Sequence, residues 1–191
     1  MLPRELLDIL STAERLKDTT RHCYTSKGRH ESVAEHTWMM TFIAFLLSEE
    51  FTDIDMDRVI KMCIIHDLGE CLTGDIPTFD KTNFDEQAEK TLLKEWINNF
   101  PLKNSKIMLE LYREMEKMET REAKVYKAID SLEALIQHNL SDLSTWTDKE
   151  KTFNLTYAED RVEFSDFFKK LRKEIKNDTI IKLEELDERN K

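Results

Sequence analysis

The sequence contains very little glycine and proline, with only 3 of each in 191 residues. Strands joined by tight turns use both residue types heavily, so this scarcity argues against a turn-rich all-β fold. Charged residues make up 36% of the chain and many of them separate apolar residues at helical spacing. The length suits one domain that buries a sizeable core. We therefore predict an all-α fold.

The chain also lacks a long apolar segment and a long basic run. No segment reaches the ~18 apolar residues of a membrane span, and residues 1–18 carry charges throughout, unlike a signal peptide. The formal net charge of −10 disfavours nucleic-acid polymers and anionic membranes as partners, because both require clustered Lys and Arg. A small phosphate ester is still compatible with this charge, since one or two local cations can bind it. We predict a cytoplasmic protein.

Cysteine is scarce as well. The chain has 3 cysteines, Cys23, Cys63 and Cys71, and they form no CxxC pair. An odd number without that motif is typical of reduced intracellular thiols rather than of disulfides or a zinc knuckle.

Apolar periodicity predicts about seven to nine helices in a single domain over residues 1–191. The clearest helices cover about residues 3–17, 32–50, 55–66, 84–100, 104–119, 121–143 and 157–175. C-terminal helices extend over about 148–186, with a short or frayed helix after Asn177. Capping boxes are predicted at three pairs, Ser32/Glu35, Thr147/Glu150 and Thr156/Glu159. Residues 18–31 lack an apolar period, so we predict a loop there, and we place Trp38 and Trp96 in the core.

Two histidines lie on the apolar faces of consecutive predicted helices. His36 shares a helical stripe with Val33 and Met40, and His66 ends the apolar segment that precedes Asp67. Either histidine alone is more often a hydrogen-bonded core residue than a metal ligand. The neighbouring Asp67 changes this interpretation, because an unpaired buried carboxylate is costly and a divalent cation would satisfy it.

A fourth ligand should come from another buried helix, and Asp130 is the candidate. It flanks the apolar face of predicted helix 121–143, which includes Val125 and Ile129. Periodicity leaves open the alternative that Asp130 is a solvated helical acid, as most helical acids are.

The ordered set His36, His66–Asp67 and Asp130 resembles the H…HD…D pattern of the HD-domain superfamily of metal-dependent phosphohydrolases. The segments ESVAEHT, HDLGE, LTGDIPT and KAIDSLEALIQ are similar to the branch typified by the bacterial 5′-deoxynucleotidase YfbR. The resemblance covers about residues 1–175. It implies a helical bundle with a metal-site core over about 32–143, and metal-dependent hydrolysis of (deoxy)nucleoside 5′-monophosphates.

The resemblance implies one divalent metal ion, bound by His36, His66, Asp67 and Asp130. Two imidazoles and two carboxylates without a thiolate favour the transition metals Mn, Co, Fe, Ni or Zn over Ca or Mg. HD relatives with two metals need extra histidines between the HD pair and the last aspartate, and none lies between His66 and Asp130 here. This argues for one metal and against cyclic-dinucleotide phosphodiesterase and di-iron oxygenase chemistry.

The resemblance also implies catalytic and substrate-binding residues. Glu70 corresponds to the acid/base that acts on the attacking water, and Asp75 to the residue that contacts the sugar 3′-hydroxyl and assists the leaving oxygen. Arg21 and Arg29 resemble arginines that hold the phosphate. His22 departs from the pattern, since the family has a tryptophan there that packs beside the sugar. Each of these residues has a plainer alternative, as an ordinary turn or surface side chain.

Two other functions stay open. The first is an HD hydrolase that acts on nucleotide triphosphates or an alarmone. The second is a non-catalytic helical interaction protein that keeps the metal for stability, although the intact Glu70 and Asp75 weigh against it. Family relatives are often homodimers, and the apolar-rich helices are compatible with a homodimer.

Overall fold

A computed structural model of the protein describes residues 1–77 and 81–189, with side chains described as far as residue 185. Backbone contacts divide the chain into two compact units, Met1–His22 with Glu31–Tyr126, and Cys23–His30 with Lys127–Lys191. In the described ranges, a two-stranded sheet accompanies an otherwise helical structure, which confirms the all-α prediction. The single domain over residues 1–191 stays a prediction. None of the described helices is both long and apolar enough to cross a membrane.

The first unit holds six helices among its described residues, together with the first turns of a seventh. Their bounds are α1 Pro3–Ala13, α2 Val33–Leu46, α3 Met56–Ile65, α4 Glu70–Thr73, α5 Asn83–Asn98, α6 Leu102–Lys117 and α7 Arg121–Leu140. The predicted capping box of α2 is confirmed: the Glu35 amide donates to Ser32 Oγ at 3.3 Å, and the Ser32 amide donates to Glu35 Oε2 at 2.9 Å. The short α4 lies where the sequence predicted only a break.

The predicted loop over residues 18–31 is wrong, because this segment is a hairpin. Strand β1 covers Thr20–Tyr24 and pairs with β2, His30–Ser32. The Thr25 amide donates to the Arg29 carbonyl at 2.8 Å to close the turn, and Gly28 adopts a φ of 79° there. Side chains of β1 alternate in burial, but the inward ones are an arginine and a cysteine. A hydrophobicity pattern therefore misses this strand.

The core of the first unit forms where α2 packs against α3. Both helices contribute fully buried side chains; those with 0% exposure are Val33, Met40, Ala44, Val59, Met62 and Cys63. His36 lies on the same buried face of α2, with 1% exposure. Packing of this face therefore fixes the position of its imidazole.

The opposite face of α2 is exposed, so the core prediction for Trp38 is wrong. Trp38 is 61% exposed and stacks on Phe42 with ring centroids 5.8 Å apart. The helix is apolar all round, so periodicity could not tell which face packs inward. Trp96 is half-buried and meets Phe100 edge to face at 4.9 Å.

The second unit contains the rest of α7, then α8, Asp148–Phe153, and α9, Asp166–Arg189. The predicted capping box at Thr147 is confirmed, since its Oγ1 accepts the Glu150 amide at 3.3 Å. The predicted box at Thr156/Glu159 and the helix start near 157 are wrong. Arg172 of α9 donates to the carbonyls of Tyr157 at 2.8 Å and Asn154 at 3.0 Å. Hydrogen bonds to α9 therefore hold residues 154–157 as turns.

Helix α9 also continues through the predicted end near residue 175. Thr179, which is 0% exposed, donates to Asn139 Oδ1 at 2.9 Å, and Asn139 donates to the Ile175 carbonyl at 2.9 Å. These contacts with α7 stabilise the helix beyond the polar residues that predicted its end. All 3 cysteines of the chain are buried thiols.

Candidate metal centre and active site

His66 follows directly after α3, where the helix ends. Its Nδ1 lies 2.8 Å from the Cys63 carbonyl oxygen, so the neutral ring donates this N–H and leaves a lone pair on Nε2. A backbone hydrogen bond of this kind is how proteins orient a metal-binding histidine. The end of α3 therefore aims one nitrogen of His66 in a fixed direction.

Three potential ligand atoms meet at that nitrogen. His66 Nε2 lies 3.2 Å from His36 Nε2 and 2.8 Å from Asp67 Oδ2. The third side of this triangle joins His36 Nε2 to Asp67 Oδ2 and is 3.7 Å long. An ion bonded at about 2.1 Å spaces adjacent ligand atoms roughly 3.0–3.4 Å apart. The spacing of the three side chains is therefore compatible with a common metal ion, and their role as ligands stays a prediction.

Two tyrosines flank the His66 segment. The Tyr112 hydroxyl on α6 donates a hydrogen bond to the Ile65 carbonyl, immediately before His66. The Tyr126 ring lies 5.8 Å from the His66 ring between centroids. Sequence reasoning missed Tyr112, because nothing local relates α6 to the end of α3.

Glu70, the first residue of α4, is a buried carboxyl group with 5% exposure. Among the described residues, its Oε2 has no hydrogen-bond partner. Burial first, and then the charges of Asp67 and Asp75, raise the pKa of Glu70 to about 10. An orphaned acidic oxygen beside the triangle is what a site for a divalent cation requires, because the cation would offset both effects.

Asp75 follows the turn at Gly74, whose φ of 81° favours glycine. Burial raises the pKa of Asp75, while the positive charge of Arg21 acts in the opposite direction and Asp67 raises it further. Arg21 and Asp67 are therefore each close enough to Asp75 to interact with it electrostatically.

Arg21 is itself held by an acidic partner that the sequence reasoning missed. Its Nη1 donates to Glu31 Oε2 at 2.7 Å, and the two side chains are only 9% and 3% exposed. Glu31 is the first residue of the ESVAEHT segment, and its position in that motif could have indicated a functional role. His22 is half-buried next to Arg21 on β1.

The other two predicted site residues belong to the second unit. Asp130 is half-buried on α7, and its Oδ2 lies 2.6 Å from Lys127 Nζ. Arg29 is exposed in the hairpin turn and donates to the His30 carbonyl at 3.2 Å. Their roles as metal ligand and phosphate contact stay predictions.

Residues 13–172 match the HD domain family. The chain belongs to the HD domain family. Membership implies a divalent metal site, in agreement with the triangle of His36, His66 and Asp67.

Among HD proteins, the chain is similar to 5′-deoxynucleotidases. The 5′-deoxynucleotidase HDDC2 of Dictyostelium discoideum is 31% identical over 141 residues, which cover 69% of this chain and 74% of that protein. HDDC2 of Bos taurus is 30% identical over 138 residues, covering 70% of this chain and 66% of the relative. The chain thus spans about two thirds of that relative's length. The predicted HD membership and the predicted class of 5′-deoxynucleotidase-like phosphohydrolase are confirmed.

Solved structures share the HD fold. A predicted metal-dependent phosphohydrolase from Magnetospirillum magnetotacticum superposes with a TM-score of 0.80 at 22% identity, over 94% of this chain and 95% of that one. A conserved hypothetical protein from Pyrococcus furiosus gives 0.69 at 29% identity, over 90% and 99%. The first of these likenesses concerns the fold alone.

Proposed function

We propose that this protein is a metal-dependent phosphomonoesterase that hydrolyses nucleoside 5′-monophosphates, preferentially 2′-deoxy ones, to nucleoside and phosphate. The observation that carries the proposal is the triangle of His36, His66 and Asp67 beside the buried carboxyl group of Glu70. The relatives named 5′-deoxynucleotidase support the substrate class.

One divalent transition metal ion, Mn, Co, Fe, Ni or Zn, is the proposed cofactor. The triangle supplies three ligands, and the HD pattern assigns Asp130 as the fourth. When bound, the ion polarises the phosphate and lowers the pKa of a water molecule. Nitrogen and carboxylate donors together favour these metals over Ca or Mg.

Glu70 is the proposed acid/base for the attacking water. Its carboxyl group is buried and interacts electrostatically with Asp67, which supports this role. A positioned acid/base contributes typically about 10²–10⁴-fold to a rate.

Arg21 and Asp75 are the proposed substrate contacts. Glu31 fixes one end of the Arg21 guanidinium, and a guanidinium held in one orientation can bind a phosphate through two parallel N–H groups. Asp75 contacts the sugar 3′-hydroxyl and assists the leaving oxygen in this proposal. Arg29 is a further proposed phosphate contact.

The sugar preference depends on His22. The deoxynucleotidase pattern that this sequence resembles has a tryptophan there, which packs beside the sugar and contributes to selectivity for deoxyribose. An imidazole is smaller and can donate a hydrogen bond to a 2′-hydroxyl. We therefore expect this protein to discriminate less strongly between deoxyribose and ribose than its tryptophan-containing relatives.

The proposal is tested by phosphate release from ribo- and deoxyribonucleoside monophosphates, with chelated protein reloaded with Mn, Co, Fe, Ni, Zn or Mg in turn. We expect release that depends on a transition metal and is faster for deoxy compounds. Equal rates of phosphate release from ribo- and deoxyribonucleoside monophosphates would support the phosphatase activity but contradict the preference for deoxyribose. The Glu70→Gln variant, loaded with the same metal, is the control for contaminating phosphatase.

Two rival functions give different results in the same assay. A hydrolase of nucleotide triphosphates or an alarmone would release triphosphate or pyrophosphate and leave monophosphates intact. A non-catalytic metal-stabilised protein would melt at a lower temperature after chelation but cleave none of these esters. The cytoplasmic location and the homodimer stay predictions.

A further inference from the structure

Glu89, on α5, packs against Gly69, the residue that precedes Glu70. A Cβ atom added to Gly69 would lie 2.9 Å from both Cγ and Oε1 of Glu89. The backbone of Gly69 is ordinary right-handed helix, with φ −60° and ψ −31°, so conformation does not require glycine. The missing side chain is instead what allows Glu89 to approach the backbone that carries Glu70.

Glu89 in turn holds Lys81. Lys81 Nζ lies 2.6 Å from Glu89 Oε2, and the two side chains are only 21% and 15% exposed. The Lys81 amide also donates to the Pro77 carbonyl at 3.0 Å, which anchors its backbone. An exposed ion pair contributes little because both side chains stay mobile, whereas this pair is largely enclosed and fixed at both ends.

The Lys81 ammonium group is close enough to the acidic groups of the active site to interact with them electrostatically. Its positive charge interacts with Glu70, Asp67 and Asp75 as well as with Glu89. Glu70 needs such a cation most, since its Oε2 is buried and has no hydrogen-bond partner among the described residues. A buried carboxylate without compensation is costly.

We propose that Lys81, held by Glu89 against Gly69, is a positioning residue for Glu70. In the metal-loaded protein, in which Glu70 would be ionised, the ammonium group compensates the charge of its carboxylate and keeps it in the orientation that acts on the attacking water. This inference rests on the proposed function, and it adds two residues outside the HD sequence pattern. Neither residue touches the substrate in this arrangement, so their effect is on turnover rather than on substrate binding.

Kinetics of Lys81→Met, Lys81→Arg and Lys90→Met test the proposal on metal-loaded protein of verified metal content. We expect Lys81→Met to lower kcat about 10–100-fold with KM within about threefold, and Lys81→Arg to recover most of the loss. Lys90 is the matched control, because it follows Glu89 on α5 and pairs with Glu116 at 3.4 Å, but with both side chains about half exposed. Unchanged kcat in Lys81→Met, or a loss confined to KM, would overturn the proposal.

A double-mutant cycle tests the docking of Glu89 on Gly69. Gly69→Ala should lower kcat as Lys81→Met does, because the new methyl group displaces Glu89. In a Glu89→Ala background, Gly69→Ala should have no additional effect, since the steric conflict is gone. Additive losses would show that Glu89 is not the partner and would overturn this part of the proposal.

Unfolding of the metal-loaded protein keeps the proposal testable without an assay of activity. The changes that Lys81→Met and Glu70→Gln cause in the denaturant midpoint should be non-additive if the two side chains interact. Additive changes would overturn the proposal whether or not the protein is an enzyme. Absence of phosphate release by the unmodified protein would instead contradict the proposed function.

Discussion

The Nε2 atoms of His36 and His66 lie 3.2 Å apart, although 30 positions separate the two residues in sequence. With Nδ1 donating to the Cys63 carbonyl, the Nε2 atom of a neutral His66 ring carries a lone pair at this contact, which can bind a metal ion shared with His36. Asp67 Oδ2, 2.8 Å from the same nitrogen, adds a carboxylate to the pair. This arrangement is the basis of the predictions below.

Replacing His36 by alanine should remove the metal. Loss of a side chain that hydrogen-bonds to a metal ligand typically weakens metal affinity about 10–100-fold, so loss of the ligand itself should weaken it more. Metal content after dialysis, measured by mass spectrometry of the metal, checks this expectation. His30→Ala is the control, since that exposed histidine lies in the hairpin of the second unit. Full metal occupancy in His36→Ala would contradict the assigned site.

The Asp130→Asn variant tests the fourth ligand. An amide is a much weaker metal ligand than a carboxylate, so we expect weaker binding of the ion and loss of turnover at limiting metal. Asp142→Asn is a matched control, because Asp142 caps the turn at Ser144 with a hydrogen bond of 2.8 Å. Equal metal affinity in both variants would remove Asp130 from the ligand set.

The Glu70→Gln variant should bind the metal and the substrate but turn over slowly. Glutamine keeps the size of the side chain and cannot accept a proton from water, so kcat should fall about 10²–10⁴-fold. Steady-state kinetics with metal analysis check this expectation. A rate within a few-fold of the unmodified protein would mean that another group acts on the water.

Without metal, stability should fall as the pH rises. The folded-state pKa of Glu70 is raised from 4.5 to about 10, so the folded state holds a proton that the unfolded state has lost between these values. The contribution of this group to the free energy of unfolding is then lost with rising pH, by at most about 1.4 kcal/mol per pH unit. Urea unfolding in chelator at pH 5.5 and 7.5 should show Glu70→Gln becoming more stable relative to the unmodified protein at the higher pH. A difference independent of pH would contradict the raised pKa.

The Tyr112→Phe variant should loosen the His66 segment. It leaves the Ile65 carbonyl without its hydroxyl donor, which costs about 1–3 kcal/mol in the free energy of unfolding if the carbonyl stays buried. We also expect weaker metal affinity, because this carbonyl directly precedes His66. Tyr157→Phe is the control: it removes a hydroxyl that Arg161 contacts at 2.8 Å in the second unit, and it should leave metal affinity unchanged.

The sequence by itself determined most of the long helices, the order of the proposed ligand residues and the family. Each rests on local information: apolar residues at a spacing of 3.6 define a helix face, and a capping box such as Ser32/Glu35 fixes a helix start within four residues. Ligand chemistry is equally local, because histidine and aspartate keep their donor atoms in any fold.

Only the tertiary structure decided which faces are covered and which charged groups meet. The apolar Trp38 lies outside because α2 has more apolar surface than its neighbours bury. Arg21 pairs with Glu31, and Lys81 with Glu89, because the hairpin and α5 bring these side chains into contact. Such pairs form because burial brings opposite charges together in the folded chain. The periodicity of the sequence therefore does not predict them.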